Sequence, residues 1–261
     1  MNSTAERIPI LIPPAGIESP AGDFLLYRAV THRGLVRLHN EDAFCVLSKE
    51  NYHLFGIMDG LGGHRGGSIA SEIAVATIKD EFEKWNEKGK EKFVVRAVQR
   101  ANQEVFNTAQ THPELFNMQT TATIVALEKD SLAIGHVGDC RFYRVRNGRI
   151  TLLTKDHSQA AELLRLRLIS PEDALQHPGR HQLTRSVGSS PFLRVDLVKE
   201  KITHGDSFIL ASDGLWSELE TLDIRDALLD DDIEKSLEQL VGKVLKSGAP
   251  DNLTAIIFRI D

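Results

Sequence analysis

Short runs of β-branched and other apolar residues recur along the chain: Ala43 to Leu47, His53 to Met58, Thr121 to Leu127, Leu132 to Val137, Phe142 to Val145, Ser207 to Ala211 and Leu253 to Ile260. Each has strand length, and most are bounded by Gly, Asp or Asn, so they predict a sheet-rich core. The Asn-Gly pair in Arg146-Asn147-Gly148-Arg149 predicts a hairpin joining two strands. Three longer segments have helical spacing. Ser68 to Trp85 carries Ile69, Ile73, Ala76 and Ile78; Phe93 to Ala109 carries Val94, Ala97, Ala101 and Val105; Ile233 to Leu245 carries Leu237, Leu240 and Val244. Helices and strands that cluster in this way predict helices packed outside stacked antiparallel sheets, in contrast to alternating βαβ units.

Asp156 to Pro191 breaks the pattern. Helix-like stretches at Ala160 to Leu168 and Pro171 to Leu175 lead into His177-Pro178-Gly179-Arg180-His181, and this polar, proline-punctuated insertion predicts a surface flap beside a site. Residues 1–24 are expected to form an arm, mobile or laid on the surface, ahead of a single domain over 25–261. The apolar piece Ile8 to Pro14 is too short and too broken by proline for an export signal, and no other segment approaches membrane-spanning length.

Composition adds exclusions. With 41% hydrophobic and 26% charged residues the chain is ordinary for a globular protein, and a net charge of −6 argues against non-specific nucleic-acid or anionic-membrane binding. Cys45 and Cys140 each sit in an apolar, strand-like stretch and read as buried free thiols, consistent with the cytoplasm.

The chemistry lies in acidic residues at turns: Glu41 and Asp42 in Asn40-Glu41-Asp42, Asp59 before Gly60, Asp213 before Gly214, and Asp251 before Asn252. A carboxylate just after a strand-forming run ends up at that strand's end, so distant segments can deliver oxygen ligands to one point. Mg²⁺ and Mn²⁺ prefer such ligands, which predicts a metal-dependent hydrolase.

In chain order the motifs are Gly34 to Asp42, Met58-Asp59-Gly60-Leu61-Gly62-Gly63-His64, Thr120-Thr121-Ala122, Gly135 to Arg141, Leu153 to Ser158, Ala211-Ser212-Asp213-Gly214-Leu215-Trp216, and Asp251-Asn252-Leu253-Thr254. In this order they resemble the PPM family, the metal-dependent (type 2C) serine/threonine protein phosphatases, and its compact bacterial members in particular, over residues 27 to 261. The resemblance implies an α+β, four-layer αββα sandwich with two antiparallel sheets flanked by helices and a metal centre at one edge. It implies two Mn²⁺ or Mg²⁺ ions, with Asp59 bridging them, Gly60 offering its carbonyl, and Asp213 and Asp251 completing the first ion's shell. Glu41 and Asp42 would act through metal-bound waters, Asp139 and Asp213 would hold a weaker third ion, and Arg37 would bind substrate phosphate. Phosphoserine and phosphothreonine in proteins would be hydrolysed by a metal-activated water, so no nucleophilic Ser or Cys is required. The partners implied are phosphoproteins and a cognate bacterial Ser/Thr kinase, and a monomer is expected.

Plainer readings stand beside these. A lone Asp-Gly is usually a turn. His64 is open between proton donation to the leaving oxygen and a structural role; Asp156 and His157 read as structural, Thr120 and Thr121 as packing or hydrogen-bonding beneath the site, and Trp216 as core. Gln119, Ser68, Cys140 and Arg167 depart from common family residues without removing a ligand; Arg167, where the flap often has glycine, bears on substrate preference. The rivals are a pseudophosphatase that binds phosphoproteins without cleaving them, which would be expected to lack one of Asp59, Asp213 or Asp251, and a two-metal nuclease or phosphodiesterase, which the acidic balance disfavours.

Overall fold

The strand-length runs pair into two antiparallel sheets in a computed structural model that describes residues 17–18, 24–50, 52–62, 66–86 and 89–260. The first half contains β1 (Ile17–Glu18), β2 (Phe24–His32), β3 (Ala43–Lys49), β4 (Tyr52–Met58), β5 (Gly60–Leu61), α1 (Gly66–Glu83), α2 (Lys90–Thr111), β6 (Gln119–Thr120), β7 (Ala122–Glu128) and β8 (Ser131–Val137). The second contains β9 (Arg141–Arg146), β10 (Arg149–Leu152), α3 (Gln159–Arg165), α4 (Pro171–Gln176), β11 (Asp196–Lys201), β12 (Ser207–Ala211), α5 (Asp213–Trp216), α6 (Thr221–Leu228), α7 (Ile233–Lys246) and β13 (Leu253–Ile260). One sheet runs β1-β2-β13-β12-β9-β10, the other β11-β8-β7-β4-β3, and β5 pairs with β6 as a short ribbon.

Side chains alternate across each strand, so every central strand serves two apolar layers. On β13, Ile256, Phe258 and Ile260 point between the sheets, while Leu253, Ala255 and Ile257 point toward α6 and α7. On β4, Phe55 and Ile57 enter the space between the sheets, while Leu54 and Met58 meet α1 and α2. The helix–sheet–sheet–helix order expected for an αββα sandwich follows. Phenylalanine rings fill the space between the sheets: Phe258 stacks across it on Phe55 at 4.5 Å between centroids, and on Phe208 of the neighbouring strand at 4.8 Å. Apolar area buried on both faces at about 25 cal/mol per Å² is the main stabilising term for such a sandwich.

The Asn147-Gly148 hairpin forms as expected, with Arg146 opposite Arg149 and both turn residues at positive φ, 50° and 74°. The flap carries α3, capped by Ser158, and α4, opened by a reciprocal Ser170–Asp173 capping box. Its ends are pinned by bridges between Ser158 and Leu183 and between Thr120 and Val187. Arg167 adopts φ 58°, the left-handed region that favours glycine, so the departure there is carried with local backbone strain. Most of the expected arm lies outside the described residues; within it, β1 adds an edge strand to β2, with Ile17 opposite Leu25. Among the described residues no helix is long and apolar enough to cross a membrane.

Candidate metal centre

Strand ends bring the acidic turns together. Asp59 follows β4, Asp139 follows β8, Asp213 opens α5 after β12, Asp251 precedes β13, and Glu41 lies in the loop between β2 and β3. All five, with Arg37, Gly60, Arg180 and His181, line one cleft of about 550 Å³. Asp42 lies behind that lining: its Oδ2 accepts the Ser212 hydroxyl at 2.8 Å, and its Oδ1 is buried without a hydrogen-bond partner.

The backbone around these side chains is held by neighbours named in the motifs. The Asp59 N–H donates to Thr121 Oγ1 at 2.9 Å, and its carbonyl accepts the Thr121 N–H at 2.8 Å and the Thr120 hydroxyl at 2.9 Å. The two threonines therefore hydrogen-bond beneath the site, as expected. Gly60 is confined on both sides, because a Cβ there would lie 2.3 Å from the Gly67 carbonyl oxygen and 2.6 Å from that of Glu41.

Other contributors did not stand out in the sequence. Asn252 donates through Nδ2 to the carbonyls of Arg33 at 2.8 Å and His39 at 2.9 Å, and its Oδ1 accepts the Glu41 N–H at 2.8 Å. One amide thus folds the Arg37 loop over Asp251. Ser212 donates to Asp42 and accepts the Thr254 N–H at 2.9 Å, joining β12 to β13 beneath the cleft. Trp216 is not simply a core residue: it is half-buried, its Nε1–H donates to the Asp139 carbonyl at 3.0 Å, and the Arg141 guanidinium lies 3.4 Å over its ring. His181, expected only as part of the flap, reaches Asp213 Oδ2 with Nδ1 at 3.1 Å, and Arg180 Nε donates to its Nε2 at 2.8 Å. Because Nε2 accepts, Nδ1 carries the hydrogen. His64 lies outside the described residues.

Electrostatically the cleft is a concentration of like charge. Burial, reinforced by Asp42 and Asp213, raises the Asp59 carboxyl well above the usual range; burial and Asp213 do the same to Asp139. Burial moves Asp42 up to about 7, against the hydrogen bonds from Thr254 and Ser212, and also raises Glu41. The Arg37 guanidinium answers part of this charge through Asp251, with its Nη2 at 2.6 Å from Oδ2; that hydrogen bond strengthens its hold on its proton. The donor set suits hard divalent cations: clustered carboxylates, a confined Gly60 carbonyl and an orphaned buried oxygen on Asp42. Asp139, His181 and Asp213 also offer three ligand atoms within 4.8 Å of one another.

The protein phosphatase 2C family matches residues 32–257. The serine/threonine phosphatase stp of Listeria welshimeri is 32% identical over 236 residues, covering 87% of this chain and 92% of that protein. The structure of serine/threonine phosphatase Stp1 from Staphylococcus aureus superposes with a TM-score of 0.87 at 29% identity, covering 96% of this chain and all of that one. The catalytic domain of PstP in complex with two manganese ions gives a TM-score of 0.80 at 29% identity over 90% of this chain and 98% of that one. With a motif order, a two-sheet sandwich and an acidic strand-end cleft that all agree with these relatives, the chain belongs to the protein phosphatase 2C, or PPM, family and is a serine/threonine protein phosphatase.

Proposed function

We propose that the chain removes phosphate from phosphoserine and phosphothreonine in proteins with two Mn²⁺ or Mg²⁺ ions in the acidic cleft, opposing a Ser/Thr kinase. The observation that carries this reading is the convergence of Glu41, Asp59, Asp139, Asp213 and Asp251 on one cleft, three of them with carboxyls raised by burial and each other. Asp59 would bridge the two ions, the Gly60 carbonyl, Asp213 and Asp251 would complete their shells, and Glu41 and Asp42 would act through water. Asp139 and Asp213 would hold a weaker third ion, with the His181 Nδ1–H donating to Asp213 beside it. When bound, the ions supply a hydroxide-like water near neutral pH and neutralise phosphoryl oxygens. Arg37 is half exposed at the rim and its planar guanidinium can grip two phosphoryl oxygens, which favours capture of a phosphomonoester dianion.

The test compares a phosphothreonine peptide with an aryl phosphodiester, in Mn²⁺ and in excess chelator. Turnover of the peptide alone, abolished by chelator and restored by Mn²⁺, is expected. Full activity in chelator removes the metal reading, preference for the diester removes the phosphomonoester reading, and metal-dependent binding of the peptide without turnover would favour the pseudophosphatase.

Arg37→Ala should raise KM for a phosphopeptide about tenfold, roughly 1.4 kcal/mol of lost binding, while Mn²⁺ affinity stays within a few-fold. Unchanged kinetics would return Arg37 to the role of a partner for Asp251. Arg180 faces the cleft from the flap and should matter to protein substrates more than to small ones. Arg180→Ala is expected to lower kcat/KM on a phosphopeptide by about tenfold and on a small aryl phosphate by less than about twofold. Equal losses on both would make the flap a support for the metal site.

A further inference from the structure

The roles assigned so far leave His157 without a task, although it is only 7% exposed and sits where the chain enters the flap. Its backbone N–H donates to the Gly138 carbonyl at 2.8 Å, and the Gly138 N–H donates back to His157 Nδ1 at 3.0 Å. Both polar groups of the residue before Asp139 are therefore held by one histidine. The turn has little freedom to move elsewhere, because Gly138 is at φ 110° and a Cβ there would lie 2.5 Å from Thr121 Cβ. With Nδ1 accepting the Gly138 N–H, the neutral ring carries its hydrogen on Nε2, which lies 3.3 Å from Asp196 Oδ2 and 2.9 Å from Arg185 Nη1. Arg185 pairs with the other Asp196 oxygen at 2.7 Å.

The same residue closes the base of the flap. The Thr184 N–H, on the returning segment of the flap, donates to the His157 carbonyl at 2.8 Å. One residue thus grips the returning flap on one side and the peptide that carries Asp139 on the other. The Gly138–His157 hydrogen bond is buried, so a variant that removes the acceptor leaves an N–H to find a new partner by shifting the turn.

We propose that His157 is a positioning residue that sets the Asp139 carboxylate for the weak third cation and couples it to the base of the flap. This rests on the reading of Asp139 as a ligand of that cation. His157 would touch neither substrate nor ion.

Two variants separate the two edges of the ring. Asn places an amide oxygen near the Nδ1 position and nothing at Nε2; Gln reaches the Nε2 position and offers no acceptor at Nδ1. In Mn²⁺ titrations by calorimetry, His157→Asn should keep the weak site within about twofold of the parent affinity, and His157→Gln should weaken it at least about tenfold, with the tight sites retained in both. A weak site retained in His157→Gln, or lost equally in both variants, overturns the proposal. Asp139→Asn is the control: a weak site that survives it refutes the Asp139 reading itself, whereas a site lost there but kept in His157→Gln refutes only the coupling. In the unmodified protein, a through-hydrogen-bond coupling between Gly138 N and His157 Nδ1 is expected by NMR; its absence overturns the proposal however the variants fold.

Discussion

Asp213→Asn is expected to lower kcat/KM on a phosphothreonine peptide by at least about a thousandfold, roughly 4 kcal/mol, and at the same time to raise the melting temperature of the metal-free protein. Asp213 lines the cleft, accepts from His181, and adds to the charge felt by Asp42, Asp59 and Asp139. An amide of the same size is a poor ligand for a hard cation, so activity falls. It also removes a negative charge from a crowded site, so the protein without metal gains stability, a trade common where function requires like charges to be held together. Kinetics in saturating Mn²⁺ and a thermal scan in chelator check the two halves separately. Parent-level turnover would put the chemistry elsewhere, and a lower melting temperature would mean that the Asp213 contacts outweigh the repulsion.

Metal-free protein should lose stability as pH rises from about 5 to about 8, and Mn²⁺ should reverse the loss. The sign follows from proton counting. The folded Asp42 carboxyl titrates at about 7, against an unfolded value near 3.8, so between these values the folded state holds a proton that the unfolded state has released. Stability then falls with rising pH through that window and levels off above it, by up to about 4 kcal/mol for a single group shifted that far. Asp59 and Asp139 are raised in the same direction and act in the same sense. Cations that bind only the folded state add stability in proportion to RT ln(1 + [L]/Kd), most strongly where the carboxylates are ionised. Urea midpoints at pH 5 and pH 8, with chelator and with Mn²⁺, measure the effect. Metal-free protein that is equally stable or more stable at pH 8 contradicts it.

Two strands buried over nearly their whole length were legible in the sequence to the residue: Ser207–Ala211 and Leu253–Ile260 have the bounds that their apolar runs predict. Such strands are buried on both faces, so hydrophobicity alone marks them. β11, α6 and β2 are among the elements that went unmarked. In β11 every second residue is exposed and four of the six in Asp196–Lys201 are charged, as suits an edge strand; α6 spans eight residues, too few for helical periodicity to register; and β2 carries Arg28, Thr31 and His32 among its apolar positions. The acidic residues of the cleft were legible because turn chemistry and motif order both mark them. His181 and Asn252 were not, since the first depends on how the flap folds back and the second on hydrogen bonds to residues as far off as Arg33, 219 positions away. Long-range geometry of that kind leaves no local trace.

The central pairing of β2 with β13, which sets Tyr27 opposite Phe258, bears on the timing of activity during synthesis. Thr31 and Thr254 share a hydrogen bond of 2.8 Å there, and Asn252 ties Asp251 to the Glu41 loop. The two halves of the acidic cleft are thus brought together by the latest strand described. Because such distant contacts close slowly and strands leave the ribosome in order, a nascent chain that has not yet released β13 has most of its helices and strands but no completed cleft. Growing chains would be catalytically silent until β13 is released, and phosphoproteins near the translating ribosome would meet the phosphatase only after β13 has docked.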